Sequence, residues 1–261
     1  MKNVKAFTLV ELLVVISIIA LLLSILMPAL QRAKNSSMAI VCAANVRSLS
    51  TAWFMYQGDH NASLVGADPD RCYPYGWIRS PLSPYGLEQH FVSLRTGLLY
   101  PYLNTVKVFH CPADTRYKRP PEAPNAIWNV QNPLIGGYNS FKIVNSMNGV
   151  WPQVGLKIAK KYTEIKSPSD KLVFVENSDN RAYNHGAWFI NTPEERRDTW
   201  IDPIALWHFN KGILGFADGH SEIHTWRDKR TMNFKGMWSS EPRQKANPDI
   251  AFVINAYLAT K

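Results

Sequence analysis

Between Phe7 and Leu30 the polar positions are confined to Thr8, Glu11, Ser17 and Ser24; every other residue is apolar. About 20 apolar residues cross a hydrocarbon core of roughly 30 Å as a helix, so this run predicts a membrane-spanning segment. Past Pro28 the pattern becomes amphipathic. Ala33, Val41, Ala44, Leu49, Ala52, Trp53 and Tyr56 recur at helical spacing, with Arg32, Lys34, Asn45 and Arg47 between them. The periodicity stops at Gly58-Asp59-His60-Asn61, which is turn chemistry. The pattern therefore predicts one helix over residues 7–58, with a membrane half and a half packed on the rest of the chain.

From residue 61 to about 135 the chain is dense in Pro, Gly and aromatics, as in Cys72-Tyr73-Pro74-Tyr75-Gly76-Trp77 and Tyr100-Pro101-Tyr102. Proline fixes φ and removes a donor, so loops are expected here, with one short helix near Gly97–Leu103. Gly136-Gly137-Tyr138-Asn139-Ser140-Phe141 reads as entry to a strand, because neither phosphate-loop nor dinucleotide spacing follows. Lys171-Leu172-Val173-Phe174-Val175-Glu176 is a β-rich run closed by the oxygen-bearing Asn177-Ser178-Asp179-Asn180. That cluster admits calcium, although EF-hand spacing is missing.

Asp218-Gly219 between two β-like runs is the preferred pair of a two-residue type I′ turn, which predicts a hairpin near 213–226. In that register Leu214 faces Ile223 and Phe216 faces Ser221 on the core side. Ala217, Gly215 and Ile213 then face His220, Glu222 and His224 on the other. The last three could ligate zinc, with His208 as a further imidazole, but solvated polar residues of an antiparallel pair look the same. No metal is expected. His110-Cys111-Pro112-Ala113-Asp114 lacks an orienting group for a thiol nucleophile and reads as a structured turn.

Lys+Arg number 29 against Asp+Glu 20, a net +9 without a polybasic block, which gives no reason to expect nucleic acid as a partner. Lys2 and Lys5 precede the apolar run and no base follows until Arg32. The leader should stay cytoplasmic and the body be translocated. Cys42, Cys72 and Cys111 then lie in an oxidising space, where three cysteines allow at most one internal disulfide. Cys72–Cys111 is the preferred pair, Cys42–Cys111 is the alternative, and free thiols are a third outcome.

The pattern Lys5-Ala6, then Phe7-Thr8-Leu9-Val10-Glu11-Leu12, then the apolar run, resembles the signal of type IV prepilins and type II secretion pseudopilins. The resemblance implies a leader over 1–6, cleavage between Ala6 and Phe7 by a prepilin peptidase, and N-methylation of Phe7. It implies that Glu11 answers the free amine of a neighbouring subunit, and Pro28 lies where such helices carry a kinking proline. Ala6 stands where the family usually has Gly. His208, nine residues, then Asp218-Gly219 is similar to a C-terminal motif of planctomycete-type pilin-like proteins, which assigns these residues to hairpin architecture.

The expectation is an α+β, pilin-like subunit: a helix over 7–58 packed on a loop-rich head, 59–261, with an antiparallel sheet. It would sit in the inner membrane as a single-pass protein with its head outside the cytoplasm. Its partners would be the peptidase, other pilin or pseudopilin subunits and an assembly platform, and it would not be an enzyme. The alternative is a membrane-anchored extracytoplasmic binding protein or metal-dependent hydrolase.

Overall fold

A computed structural model describes residues 9–72, 74–81, 86–119, 137–179, 186–191, 199–234 and 243–260. The expected cleavage site at Ala6 and Phe7, together with Gly136 and Asn180, lies outside these residues.

Helix α1 runs from Leu9 to Asp59 and continues through Pro28. It is a helix long and apolar enough to cross a membrane. Leu9 to Leu30 are exposed throughout, whereas burial begins at Ala39. The buried seam is Ala39, Cys42, Val46, Leu49, Trp53 and Tyr56, alternating steps of three and four along one helical stripe. This corrects the expected stripe in its first turns. Ala33, Val41 and Ala44 are not part of the buried seam, and the phase is set by Cys42 and Val46 instead.

The head is α+β. Helices α2 (Leu87–Arg95) and α3 (Tyr100–Leu103) precede strand β1 (Phe141–Val144). Strands β2 (Leu172–Glu176), β3 (Ala187–Trp188), β4 (Lys211–Phe216) and β5 (Ser221–Thr225) follow, then helices α4 (Lys229–Met232) and α5 (Pro248–Tyr257). The sheet order is β3-β1-β2-β4-β5. It is mixed and not purely antiparallel, because β3 joins β1 in parallel at the edge. Helix α1 lies against β2, β4 and β5, and α5 packs against β2 from the chain's end. Strand β2 is buried at every position and β4 from Gly212 onward. A sheet covered on both faces gives continuous apolar runs and not strict alternation.

Helix α2 departs from the expectation of loops with one short helix over residues 61 to about 135. Helix α5 has a local cause: the Asn247 side chain accepts from the Asp249 and Ile250 amides, and Pro248 follows at the first helical position.

The hairpin differs from expectation by one residue. Ile213 faces Ile223, Leu214 faces Glu222 and Gly215 faces Ser221. A type I′ turn needs φ > 0 at both central residues, but here Gly219 is at φ +94° and Asp218 has negative φ. The Gly219 amide donates to the Phe216 carbonyl and the Phe216 amide to the His220 carbonyl, both at 3.0 Å. This is the three-residue loop with a left-handed glycine. Asp218 caps it by accepting from the His220 amide at 3.1 Å.

The shift puts Gly215 beneath α1. A Cβ there would lie 2.3 Å from Ser50 Oγ and 2.8 Å from Val46 Cγ1. Gly215→Val should therefore overpack the helix–sheet seam and cost about 1–3 kcal/mol. Thermal unfolding of the full chain in detergent measures it, and an unchanged midpoint would contradict the close approach.

Candidate functional site

Two features have chemistry to offer: the bare half of α1 and a cluster buried under its other half. In the bare half, Glu11 sits exposed in the first turn, where a carboxylate favours the helix dipole. Ser17 and Ser24 turn their hydroxyls back onto the Leu13 and Leu21 carbonyls at 2.7 Å. Their polar atoms are thereby satisfied within the helix, leaving an apolar cylinder marked by one acid.

The buried cluster is made of Cys42, Cys111, Glu176 and His208, whose candidate donor atoms all lie within 4.8 Å of one another. Each side chain comes from a different segment. Cys42 is on the buried seam of α1, and Cys111 follows the 3₁₀ turn Lys107–Phe109. Glu176 ends β2, and His208 precedes β4. Cys42 Sγ is 2.7 Å from Glu176 Oε1, Cys111 Sγ is 3.2 Å from His208 Nε2, and His208 Nε2 is 3.4 Å from Glu176 Oε1. All four residues are 2% exposed or less.

Surrounding groups aim these side chains. Glu176 Oε2 accepts the Ile213 amide at 2.9 Å, the Cys111 amide donates to Ser140 Oγ at 2.9 Å, and Asn45 Nδ2 donates to the His110 carbonyl at 3.0 Å. Burial pushes the Cys42 thiol well above its ordinary value. Contact with Cys42, acting against burial and helped by His208, lowers Cys111. Burial disfavours the His208 cation, yet its bonds to Cys111 and Glu176 outweigh that and raise it to about 10.

The cluster overturns the preferred disulfide. Cys72 lies elsewhere, with its Sγ 3.5 Å from the Asn148 carbonyl, and all three cysteines are free. The sulfur that approaches Cys111 is Cys42. His208, expected as a hairpin residue, belongs to the cluster, while Asp218 and Gly219 do build the hairpin turn.

The set His220, Glu222 and His224 does not gather into a site. His220 Nδ1 is 2.5 Å from Asp218 Oδ1, and His224 pairs with Glu222 at 3.2 Å and stacks on Phe252. The hydrolase alternative thereby loses the residues that motivated it. In the described part of the expected calcium loop, Asn177 Nδ2 and Ser178 Oγ donate to the Pro203 and Ile204 carbonyls, and Arg116 donates to the Asp179 carbonyl. A protein cation already meets that loop. Cys111-Pro-x-Asp is a turn, with the Asp114 amide on the Cys111 carbonyl at 2.9 Å.

Residues 1–27 match the prokaryotic N-terminal methylation motif. Over 62 residues the chain is 42% identical to the type IV wide pilus major component PilA4 of Thermus thermophilus, an overlap of 24% of this chain and 47% of the relative. The chain thus spans about half the length of that relative. No solved structure is significantly similar to it.

Proposed function

We propose that this chain, with its prepilin-type N-terminal methylation motif, is a structural subunit of a type IV pilus-like or type II secretion pseudopilus fibre. The observation that carries the reading is the division of α1. The motif leads into a helix half that buries nothing against its own head, while the other half is fixed to the sheet. An apolar helix of that length needs a lipid or protein environment. A membrane supplies it before assembly and the packed helices of neighbouring subunits supply it afterwards.

In this reading a prepilin peptidase cuts between Ala6 and Phe7 and the new Phe7 amine is methylated. The subunit waits as a single-pass protein of the inner membrane, and an assembly platform extracts it into the fibre. The head supplies the fibre's outer surface. Mass spectrometry of the mature N-terminus tests the processing, with methyl-Phe7 expected. An intact Met1, or a cut beyond Leu30, would overturn it. Sheared surface fractions compared with envelope fractions then separate a surface fibre from a short periplasmic one.

A further inference from the structure

We propose that Cys42, Cys111, Glu176 and His208 form a structural zinc site that clamps α1 to the head. Structural zinc is held almost always by four tetrahedral ligands drawn from thiolate, imidazole and carboxylate, and these four side chains are such a set. Metal–sulfur bonds of about 2.3 Å and metal–nitrogen or metal–oxygen bonds of about 2.0–2.2 Å give donor–donor edges of roughly 3.3–3.8 Å. The donors already lie within 4.8 Å of one another, with separations of 2.7, 3.2 and 3.4 Å among them. Small outward movements of the side chains open the tetrahedron.

The burial points the same way. Three acids and one base share a pocket with almost no exposure, and burying charge demands compensation. A divalent cation bound there displaces both thiol protons and the Nε2 proton of the His208 imidazolium to solvent, and binds the deprotonated sulfurs, the carboxylate and the neutral imidazole. Two thiolates beside an imidazole and a carboxylate favour zinc over the hard cations magnesium and calcium. The outer contacts of Glu176 are those of a metal ligand. The Ile213 amide holds Glu176 Oε2 and leaves Oε1 facing the sulfurs and His208 Nε2, and orienting bonds of this kind fix ligand direction. His208 directs Nε2 into the pocket, and its Nδ1 has no partner among the described residues.

The ligands come from four separate segments, so one ion joins the helix to the loop after Phe109, to β2 and to the turn before β4. Cys42 is the first well-buried contact after Ala39 where α1 leaves its apolar half. A clamp there resists the load transmitted from the helix to the head. It also gives His208 of the His-x9-Asp-Gly motif a role distinct from the turn that Asp218 and Gly219 build.

The test uses the full chain purified in detergent without chelator. Elemental analysis should find one zinc per chain, and exchange with cobalt(II) should give the sulfur-to-cobalt charge-transfer bands and the strong visible bands of a tetrahedral site. Cys111→Ser and His208→Ala should lose most of the metal, while Cys72→Ser should retain it. Chelation of the wild-type chain should lower its unfolding midpoint on the order of 10 °C, a readout that holds even where a ligand variant fails to fold. Three results would overturn the site: a Cys42–Cys111 disulfide in non-reducing peptide maps, a cobalt spectrum without thiolate bands, or full metal content in Cys111→Ser.

Discussion

Glu11→Val is expected to leave insertion and cleavage intact and to abolish assembly. The substitution makes the apolar run more apolar, so the chain should enter the membrane at least as well as before. The cost falls later, when the helices pack together. A packed helical core excludes water, and in the proposed fibre the amine of Phe7 on one subunit is answered by Glu11 of the next. Removing one partner of a buried pair costs about 3–5 kcal/mol, because the remaining charge stays buried without compensation. That penalty recurs at every subunit and also removes an axial register mark. The variant should accumulate as a processed protein in the envelope fraction and be missing from sheared fibres. Glu11→Asp, which keeps the charge on a shorter arm, should restore part of the assembly. Fibres of normal yield from Glu11→Val would refute the pairing while leaving the processing reading untouched.

The long helix is readable because its signal is carried by about fifty residues, and both its apolar half and its end at Asp59 follow from composition and turn chemistry. The phase of its buried seam is only half readable. Leu49, Ala52, Trp53 and Tyr56 are on the expected stripe and are buried, but Val41 is on it and is 50% exposed. A valine and a cysteine are adjacent there, and the cysteine faces in. Treating Cys42 as a disulfide candidate instead of a core residue shifts the stripe and hides the cluster. Glu176 carries a second signal, since an acid ending a wholly buried strand demands a partner. Which partner it meets depends on four segments far apart in sequence, and no local pattern encodes that. The hairpin register fails for a smaller reason: Asp-Gly serves both the two-residue and the three-residue loop, and the choice lies in the close seat that Gly215 gives to Val46 and Ser50.

Lys142→Met is expected to stabilise the head near neutral pH and to flatten its pH dependence on the alkaline side. Lys142 lies in β1 with 2% exposure, and its Nζ donates to the Asn139 carbonyl at 3.0 Å. It neighbours a buried pair in which Arg116 makes several bonds to Asp114, the shortest at 2.7 Å. Burial, reinforced by the Arg116 charge and opposed by Asp179, Asp114 and Asp202, pushes the Lys142 amine down from 10.5 to about 7. Below pH about 7 the amine is charged in the folded and the unfolded chain alike, and the burial penalty is felt in full. Between about 7 and 10.5 the unfolded chain holds a proton that the folded chain has released, so stability climbs with pH. At about 1.4 kcal/mol per pKa unit, the climb is on the order of 5 kcal/mol. Methionine is of similar size and carries no charge. It forfeits the bond to Asn139, worth about 1 kcal/mol, and the attraction of Asp179, Asp114 and Asp202, which burial and Arg116 already outweigh; Arg116 Nη2 still reaches the Asn139 carbonyl at 3.3 Å. Chemical unfolding of both proteins from pH 6 to 10 should show the variant ahead by about 2–4 kcal/mol at the acid end, with the gap closing as pH rises. The His208 cluster is the same in both proteins and drops out of the difference. A gap independent of pH would mean that Lys142 keeps an ordinary charge in the folded head.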